Sequence, residues 1–298
     1  MKGSTGCVAL VTCAELSDAD ADTRLLIAPL AARGLRAAAV TWDDPAVDWS
    51  RFDLAVVRSC WDYSERREEF LAWAARVPRL ANPRSVLLWN TDKRYLAELA
   101  AKGISVVPTT WLQPGDSWRV PRTGEQRVVK PAVSLAALDT GRYDFSDHEH
   151  RRLAYAHVRR LQQAGRVVMI QPYVAHIETE GETSLVFIAG CFSHAVRKAP
   201  VLDGPDCGID RRFVPDGGVD PQPCTPSPAQ LDVAERALNA VPGGGRHDLL
   251  YARVDVVPGD DGAPLIMEVE LTEPHLYLGR VPKAVARLAS AIAARVAR

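Results

Sequence analysis

Tyr251-Ala252-Arg253-Val254-Asp255-Val256-Val257, followed after a short link by Ile266-Met267-Glu268-Val269-Glu270, is the stretch that decides the fold. Both runs read as strands, so Arg253 and Asp255 share one face of the first, and Glu268 and Glu270 share one face of the second. The link, Pro258-Gly259-Asp260-Asp261-Gly262, has the chemistry of a hairpin. If the strands pair, three carboxylates meet beside one guanidinium, a crowding of like charge that a solvated sheet face ordinarily avoids. A divalent cation relieves it. Carboxylate oxygens suit Mg²⁺, which keeps part of its water and is shared with substrate phosphates, and an arginine beside it neutralises charge on a phosphoryl group in transfer. The plain alternative is a surface hairpin with an acidic face.

The chain as a whole favours a small-molecule partner. Its 298 residues suffice for about two domains, and 47% hydrophobic residues fit a globular protein. With 36 basic against 37 acidic side chains the formal charge is −1, so no global field draws it to nucleic acid or to an anionic membrane. The six cysteines are scattered, without a CxxC pair or histidines at zinc-finger spacing, and read as reduced thiols of a cytoplasmic protein. The apolar run Cys7 to Ala14 is too short to span a bilayer and reads as a first buried strand, and no other stretch reaches transmembrane length.

Strand-like Cys7–Thr12, Ala37–Trp42 and Leu54–Arg58 alternate with helical periodicity around Asp22–Arg33 and Glu65–Val77, the pattern of a Rossmann-like parallel sheet. Ligands of such sheets collect beyond the carboxyl ends of the strands, which makes Glu15 and Asp62 candidate substrate contacts. Asn82-Pro83 starts a new unit. Asn90-Thr91-Asp92-Lys93 leads into a helix from Arg94 to Lys102 closed by Gly103. Next come strand-like Val128-Val129-Lys130-Pro131, a charged helix over about 147–164, and the buried run Val167 to Val174. Glu182 to Ile188 and Phe192 to Arg197 read as paired strands, and a Gly-, Pro- and Asp-rich loop follows Leu202. Lys130 lies among apolar neighbours, where an ammonium needs an anion, either a phosphate or a structural ion-pair partner. Lys93, near a helix start, is either a phosphate contact or solvated.

The order of these motifs resembles the ATP-grasp ligase superfamily over roughly residues 82–290. The resemblance implies an α/β chain in three parts: an N-terminal substrate-side domain (1–82), a central grasp subdomain (83–174) and a C-terminal grasp subdomain with the metal site (175–298). It implies that ATP phosphates are held by Lys93 and Lys130, adenine by the hinge Gln171, Tyr173 and Val174, and ribose by Glu182, with Glu180 as a substitute. Arg253 and Arg197 would face the transferring phosphoryl and the acyl phosphate, and Asp255, Glu268 and Glu270 would hold Mg²⁺. Arg211 and Arg212 would sit on a mobile cover. Many members carry asparagine where this chain has Glu270, and a glycine-rich loop where it has Ser134-Leu135-Ala136-Ala137. Beyond the metal block, Glu273 is a candidate for a substrate ammonium and His275 for a proton acceptor; the plain reading of a lone histidine is structural.

Ser59-Cys60-Trp61-Asp62-Tyr63, Thr179-Glu180-Gly181-Glu182 and His194-Ala195-Val196-Arg197-Lys198 resemble a compact actinobacterial-type subgroup, the O-ureido-D-serine cyclo-ligases that form D-cycloserine. That resemblance implies phosphorylation of an amino-acid carboxylate by ATP, then intramolecular attack by a ureido-oxy nitrogen, with release of ADP, phosphate, carbon dioxide and ammonia. A ligase joining two substrates, as in dipeptide or glutathione synthesis, a small-molecule kinase, and a regulatory nucleotide-binding protein are the alternatives. A homodimer follows from family habit alone.

Overall fold

The computed structural model describes residues 6–200, 202, 204–205 and 221–298. The first part runs β1 (Cys7–Thr12), α1 (Ala21–Ala31), β2 (Arg36–Thr41), β3 (Leu54–Ser59), α2 (Arg67–Ala74) and β4 (Leu80–Ala81). Its strands form a parallel sheet in the order β2-β1-β3-β4, as the strand-helix alternation predicts. β3 is buried at every position because the sheet is covered on both faces, which is why it reads as an unbroken run from Leu54 to Ser59.

The chain continues through α3 (Arg84–Asn90), α4 (Tyr95–Ala101), β5 (Thr110–Leu112), β6 (Gln126–Pro131), β7 (Gly141–Asp144), α5 (His148–Gln163), β8 (Val168–Pro172) and the single turn α6 (Ile177–Glu180). These strands form an antiparallel sheet in the order β5-β8-β6-β7. Asp147 caps α5 through its side chain, and Val158 and Leu161 of that helix pack on Val129 and Val168. Successive residues of a strand point to opposite faces, so Val128 and Lys130 face away from α5.

The last part is β9 (Glu182–Ile188), β10 (Cys191–Lys198), β11 (Gln222–Cys224), α7 (Pro228–Asn239), β12 (Tyr251–Pro258), β13 (Pro264–Glu270) and α8 (Pro282–Val296). Its antiparallel sheet has the order β11-β10-β9-β12-β13. Helix α7 opens on a capping box at Ser227 and Gln230 and covers the face that carries Leu185, Val254 and Val256. The opposite face carries the charged residues. The chain then returns to its start: α8 packs on α1 through Leu288, Ile292 and Leu26, so first and last segments share one core. Helices α3, α7 and α8 are elements that the motif reading passed over.

Candidate active site

β12 pairs with β13 so that Arg253 lies opposite Glu270 and Asp255 opposite Glu268, and the hairpin is buried in the sheet rather than exposed on the surface. β9 lies on the other side, with Ser184 opposite Asp255. Arg253 donates from Nε and Nη to Asp255 at 2.8–3.2 Å and also pairs with Glu270. Asp255 accepts in addition from Ser184 Oγ at 2.7 Å and pairs with Lys198 Nζ at 3.1 Å. Lys198 is paired with Glu182 across the β9–β10 ladder. Lys93 reaches the site from the turn before α4, 3.1 Å from Glu268, and donates to the Ser134 carbonyl.

These groups line one cavity of about 340 Å³ between the two antiparallel sheets. The middle sheet contributes Val128, Lys130, Gln171, Pro172, Tyr173 and Val174, and the first part of the chain contributes Trp61 and Tyr63. Among the described residues no hydrogen bond or ion pair engages the Lys130 ammonium; burial, with the nearby Lys93 charge, lowers its pKa against the pull of Glu268 and Glu182. A half-buried cation in an apolar wall without a described partner is a place for an anion. The Val174 N–H likewise donates to none of the described hydrogen bonds. The Arg142 guanidinium lies 3.6 Å from the Tyr173 ring centre, fixing that ring at the mouth, and Gln171 donates to Thr109 Oγ1 at 2.9 Å.

Burial and the Asp255 and Glu268 carboxylates push the Glu270 carboxyl up to about 7, against the attraction of Arg253. Asp255 goes the other way: burial disfavours its charge, yet Arg253, Lys198 and Ser184 together hold it well below the usual carboxylate range. The donor set therefore suits a hard cation, but among the described residues no three of these side chains form a ready-made cage. Glu268 and Glu270 are each tied to one cation, whereas both oxygens of Asp255 are occupied. Mg²⁺ would fit beside Glu268 and Glu270, where it would supply positive charge next to an anionic ligand, and Asp255 would be a further oxygen donor were Arg253 and Lys198 to release it.

Four expectations need correction. Arg197 is exposed and off the cavity, and Lys198 lines it instead. The cause is a bulge between Phe192 and His194: without it Arg197 would oppose Glu182, and the extra residue moves Lys198 there. Glu15 is exposed in a short turn outside the cavity. Asp62 is buried but turned away, accepting from the Trp42 indole at 2.9 Å and pairing with Arg66 at 3.3 Å. His275 lines the cavity, but its Nδ1 accepts the Tyr277 N–H at 3.2 Å, so the lone pair of that nitrogen is taken up by the backbone and does not serve as a proton acceptor.

Glu273 lines the cavity with Oε2 unpartnered, and burial together with Glu270 and Glu268 raises its pKa well above the ordinary value. A buried carboxylate oxygen left without a partner is a place for a donor or a cation. Ala136 and Ala137 line the cavity with φ of 48° and 57°. This is left-handed backbone built without the residue that adopts it at no cost. Arg211 and Arg212 lie outside the described residues.

The first segment, residues 8–82, matches the family described as D-cycloserine synthetase DcsG, N-terminal domain. Along its length the chain is 37% identical to the cycloserine biosynthesis protein DcsG of Streptomyces lavendulae, over 98% of this chain and 99% of that protein. The crystal structure of D-cycloserine synthetase DcsG superposes with a TM-score of 0.84 at 35% identity, covering 98% of this chain and all of that one. A RimK-domain ATP-grasp protein from Sphaerobacter thermophilus matches in fold, with a TM-score of 0.66 at 20% identity over 98% of this chain and 100% of its own. Among the described residues no helix is long and apolar enough to cross a membrane.

Proposed function

This chain belongs to the D-cycloserine synthetase DcsG family of ATP-grasp ligases, and from that membership we propose that it cyclises O-ureido-D-serine to D-cycloserine with ATP as the activating substrate. One observation carries the reading: Lys93, Lys130, Lys198 and Arg253 line the same cavity as Glu268, Glu270 and Glu273, between a nucleotide-sized apolar wall and two aromatic rings of the first part.

The chemistry follows from the charges. A free carboxylate is a poor electrophile at neutral pH, so it must first become an acyl phosphate. Lys130, which has no contact partner among the described residues, and Lys93 hold the ATP phosphates, and the Val174 N–H is available to the base edge. Glu182 is available to the ribose once an anion draws Lys198 away. Glu268 and Glu270, with Asp255, are the residues that would hold Mg²⁺, which supplies positive charge against the phosphates when bound. As polyanion and cation enter together, Lys93, Lys198, Glu268 and Glu270 exchange their present partners for new ones, Lys130 gains one, and no charge is left bare. Arg253 remains beside the transferring phosphoryl. Glu273 takes the substrate ammonium, which gives its unpartnered Oε2 a donor. The nitrogen next to oxygen in the ureido group attacks the acyl carbon, phosphate leaves, and water removes the carbamoyl group as carbon dioxide and ammonia.

The test is an incubation with ATP, Mg²⁺ and O-ureido-D-serine beside pairs of amino acids, with ADP and product mass followed together. ADP formation that depends on O-ureido-D-serine alone, with the mass of D-cycloserine, is the expected result. ADP that appears only when a second amine is added would replace the cyclo-ligase with an intermolecular ligase, and a stable phosphorylated product would replace it with a kinase.

A further inference from the structure

His275-Leu276-Tyr277-Leu278-Gly279 is fastened at every residue, and what it fastens is a phenol in the cavity. Tyr277 is a non-glycine residue in the left-handed region, at φ 53° and ψ 36°, a conformation that bulky side chains rarely adopt unless their surroundings impose it. The surroundings are visible. Asp22 of α1, itself buried, accepts the Leu278 N–H at 3.0 Å on one carboxylate oxygen and the Gly279 N–H at 3.2 Å on the other. The first of those oxygens lies 3.7 Å from His275 Nδ1. His275 Nδ1 accepts the Tyr277 N–H, His194 Nε2 donates to the Leu276 carbonyl at 2.8 Å, and Arg253 donates to the His275 carbonyl at 3.2 Å.

The Tyr277 side chain is almost wholly buried and lines the cavity. Its ring lies 4.7 Å from that of His275, and the Arg253 guanidinium carbon is 5.7 Å from its centre. Its hydroxyl makes no hydrogen bond to a described residue, although it lies within the field of Lys198, Arg253, Asp255 and Glu270. Burial raises its pKa, so the hydroxyl keeps its proton at neutral pH. A protonated donor, fixed in place and without a partner among the described residues, lines the same cavity as Arg253, on which the phosphoryl chemistry depends.

We propose that Tyr277 is a further catalytic residue, whose hydroxyl donates a hydrogen bond to the acyl oxygen as nitrogen attacks, and that Asp22 is the positioning residue that holds it there. The inference rests on the cyclo-ligase reading above. In the step, the nitrogen lone pair forms the new C–N bond while the carbonyl π pair moves onto oxygen, where the Tyr277 hydroxyl and Arg253 face it. The pair then returns to re-form the carbonyl, the bond from carbon to the phosphate oxygen breaks, and phosphate departs with the electrons of that broken bond and takes up the proton released by nitrogen. Tyr277 transfers no proton. The donor acts only where charge develops, so it affects turnover and not nucleotide binding.

The test compares Tyr277→Phe, Asp22→Ala, Asp22→Asn and the double variant Asp22→Ala/Tyr277→Phe with the unaltered chain. ADP release with O-ureido-D-serine, ATP affinity by calorimetry and thermal melting are measured on each. Loss of one such donor costs on the order of 10²-fold in kcat. Tyr277→Phe is expected to show that loss with ATP affinity unchanged, Asp22→Ala a comparable loss, and Asp22→Asn, which keeps one good acceptor, a smaller one. Asp22→Ala should cost little more once Tyr277 is already phenylalanine. An active unaltered chain with Tyr277→Phe near its rate would overturn the catalytic half, and multiplying losses in the double variant would overturn the positioning half. Should Asp22→Ala fail to fold, Asp22→Asn in the Tyr277→Phe background decides the second half. An unaltered chain that makes no ADP with this substrate while binding ATP would bring down the cyclo-ligase reading, and this inference with it.

Discussion

Lys130 lies among apolar neighbours with no contact partner among the described residues, and that combination is what makes it informative. Ion-paired lysines abound on protein surfaces, but a half-buried ammonium among apolar side chains is costly to leave bare, so the position implies an anion that arrives later. Lys130→Ala should weaken ATP binding by roughly 1.5–3 kcal/mol, the net worth of a charge-assisted hydrogen bond, with unchanged calorimetric affinity as the contrary result. Lys198 and Arg197 make a paired prediction. Lys198→Ala should cost activity at least tenfold because it unbalances Glu182 and Asp255, whereas Arg197→Ala, on the exposed side of β10, should stay within about twofold; the reverse ranking in a steady-state assay would mean that the cavity is built from the other register. At this scale the sequence showed residue types and missed directions. Arg253, Asp255, Glu268 and Glu270 were legible because a hairpin with strict alternation leaves one choice of face. Asp62 was placed at the right strand end, but nothing local says that Trp42 and Arg66 claim its oxygens.

Secondary elements were legible wherever one periodicity runs unbroken. The helix expected over about 147–164 forms as α5, from its Asp147 cap to Gln163, because polar and apolar positions repeat at helical spacing. β10 shows the limit, since one bulged residue changes which of two adjacent cations faces the cavity, and a bulge has no signature in composition. Helix α5 also carries a pH dependence. Burial pushes the His157 imidazole down to about 4, and its Nδ1 meets the Tyr143 hydroxyl at 2.9 Å. The unfolded chain takes up that proton near pH 6.5 and the folded one only near 4, so the contribution of His157 is present above 6.5 and is lost as pH falls through that window. The loss amounts to roughly 3 kcal/mol at most. Urea unfolding at pH 7 and at pH 4.5 should show a smaller drop for His157→Gln than for the unaltered chain, and equal drops would remove His157 as the cause.

For the molecule as a whole, what positions the cavity is the joining of the parts, and two buried asparagines do much of it. Asn82, fully buried in the left-handed region, donates to the Tyr251 and Leu271 carbonyls at 2.8 and 2.7 Å and accepts the Leu250 N–H at 2.8 Å. Asn90 does the same for Val269 and Leu271. Asn82→Ala leaves three buried backbone groups unpaired, and should lower unfolding free energy by on the order of 3 kcal/mol or more, read as a fall in the denaturation midpoint. A change under about 1 kcal/mol would show that the junction relaxes around the loss. That the Asn82 side chain clasps the end of β4 to the start of β12 was not legible, because those partners are nearly 170 residues away along the chain.

The central claim is that this cavity turns a carboxylate into an acyl phosphate before the ring closes, and oxygen labelling reaches it directly. O-ureido-D-serine carrying ¹⁸O in its carboxylate, turned over with unlabelled ATP, should give inorganic phosphate with one ¹⁸O atom per molecule, because the oxygen bonded to phosphorus leaves with it. Phosphate free of label, formed in step with the cyclised product, would mean that the carboxylate never carries the phosphoryl group and that the cavity closes the ring by some other route.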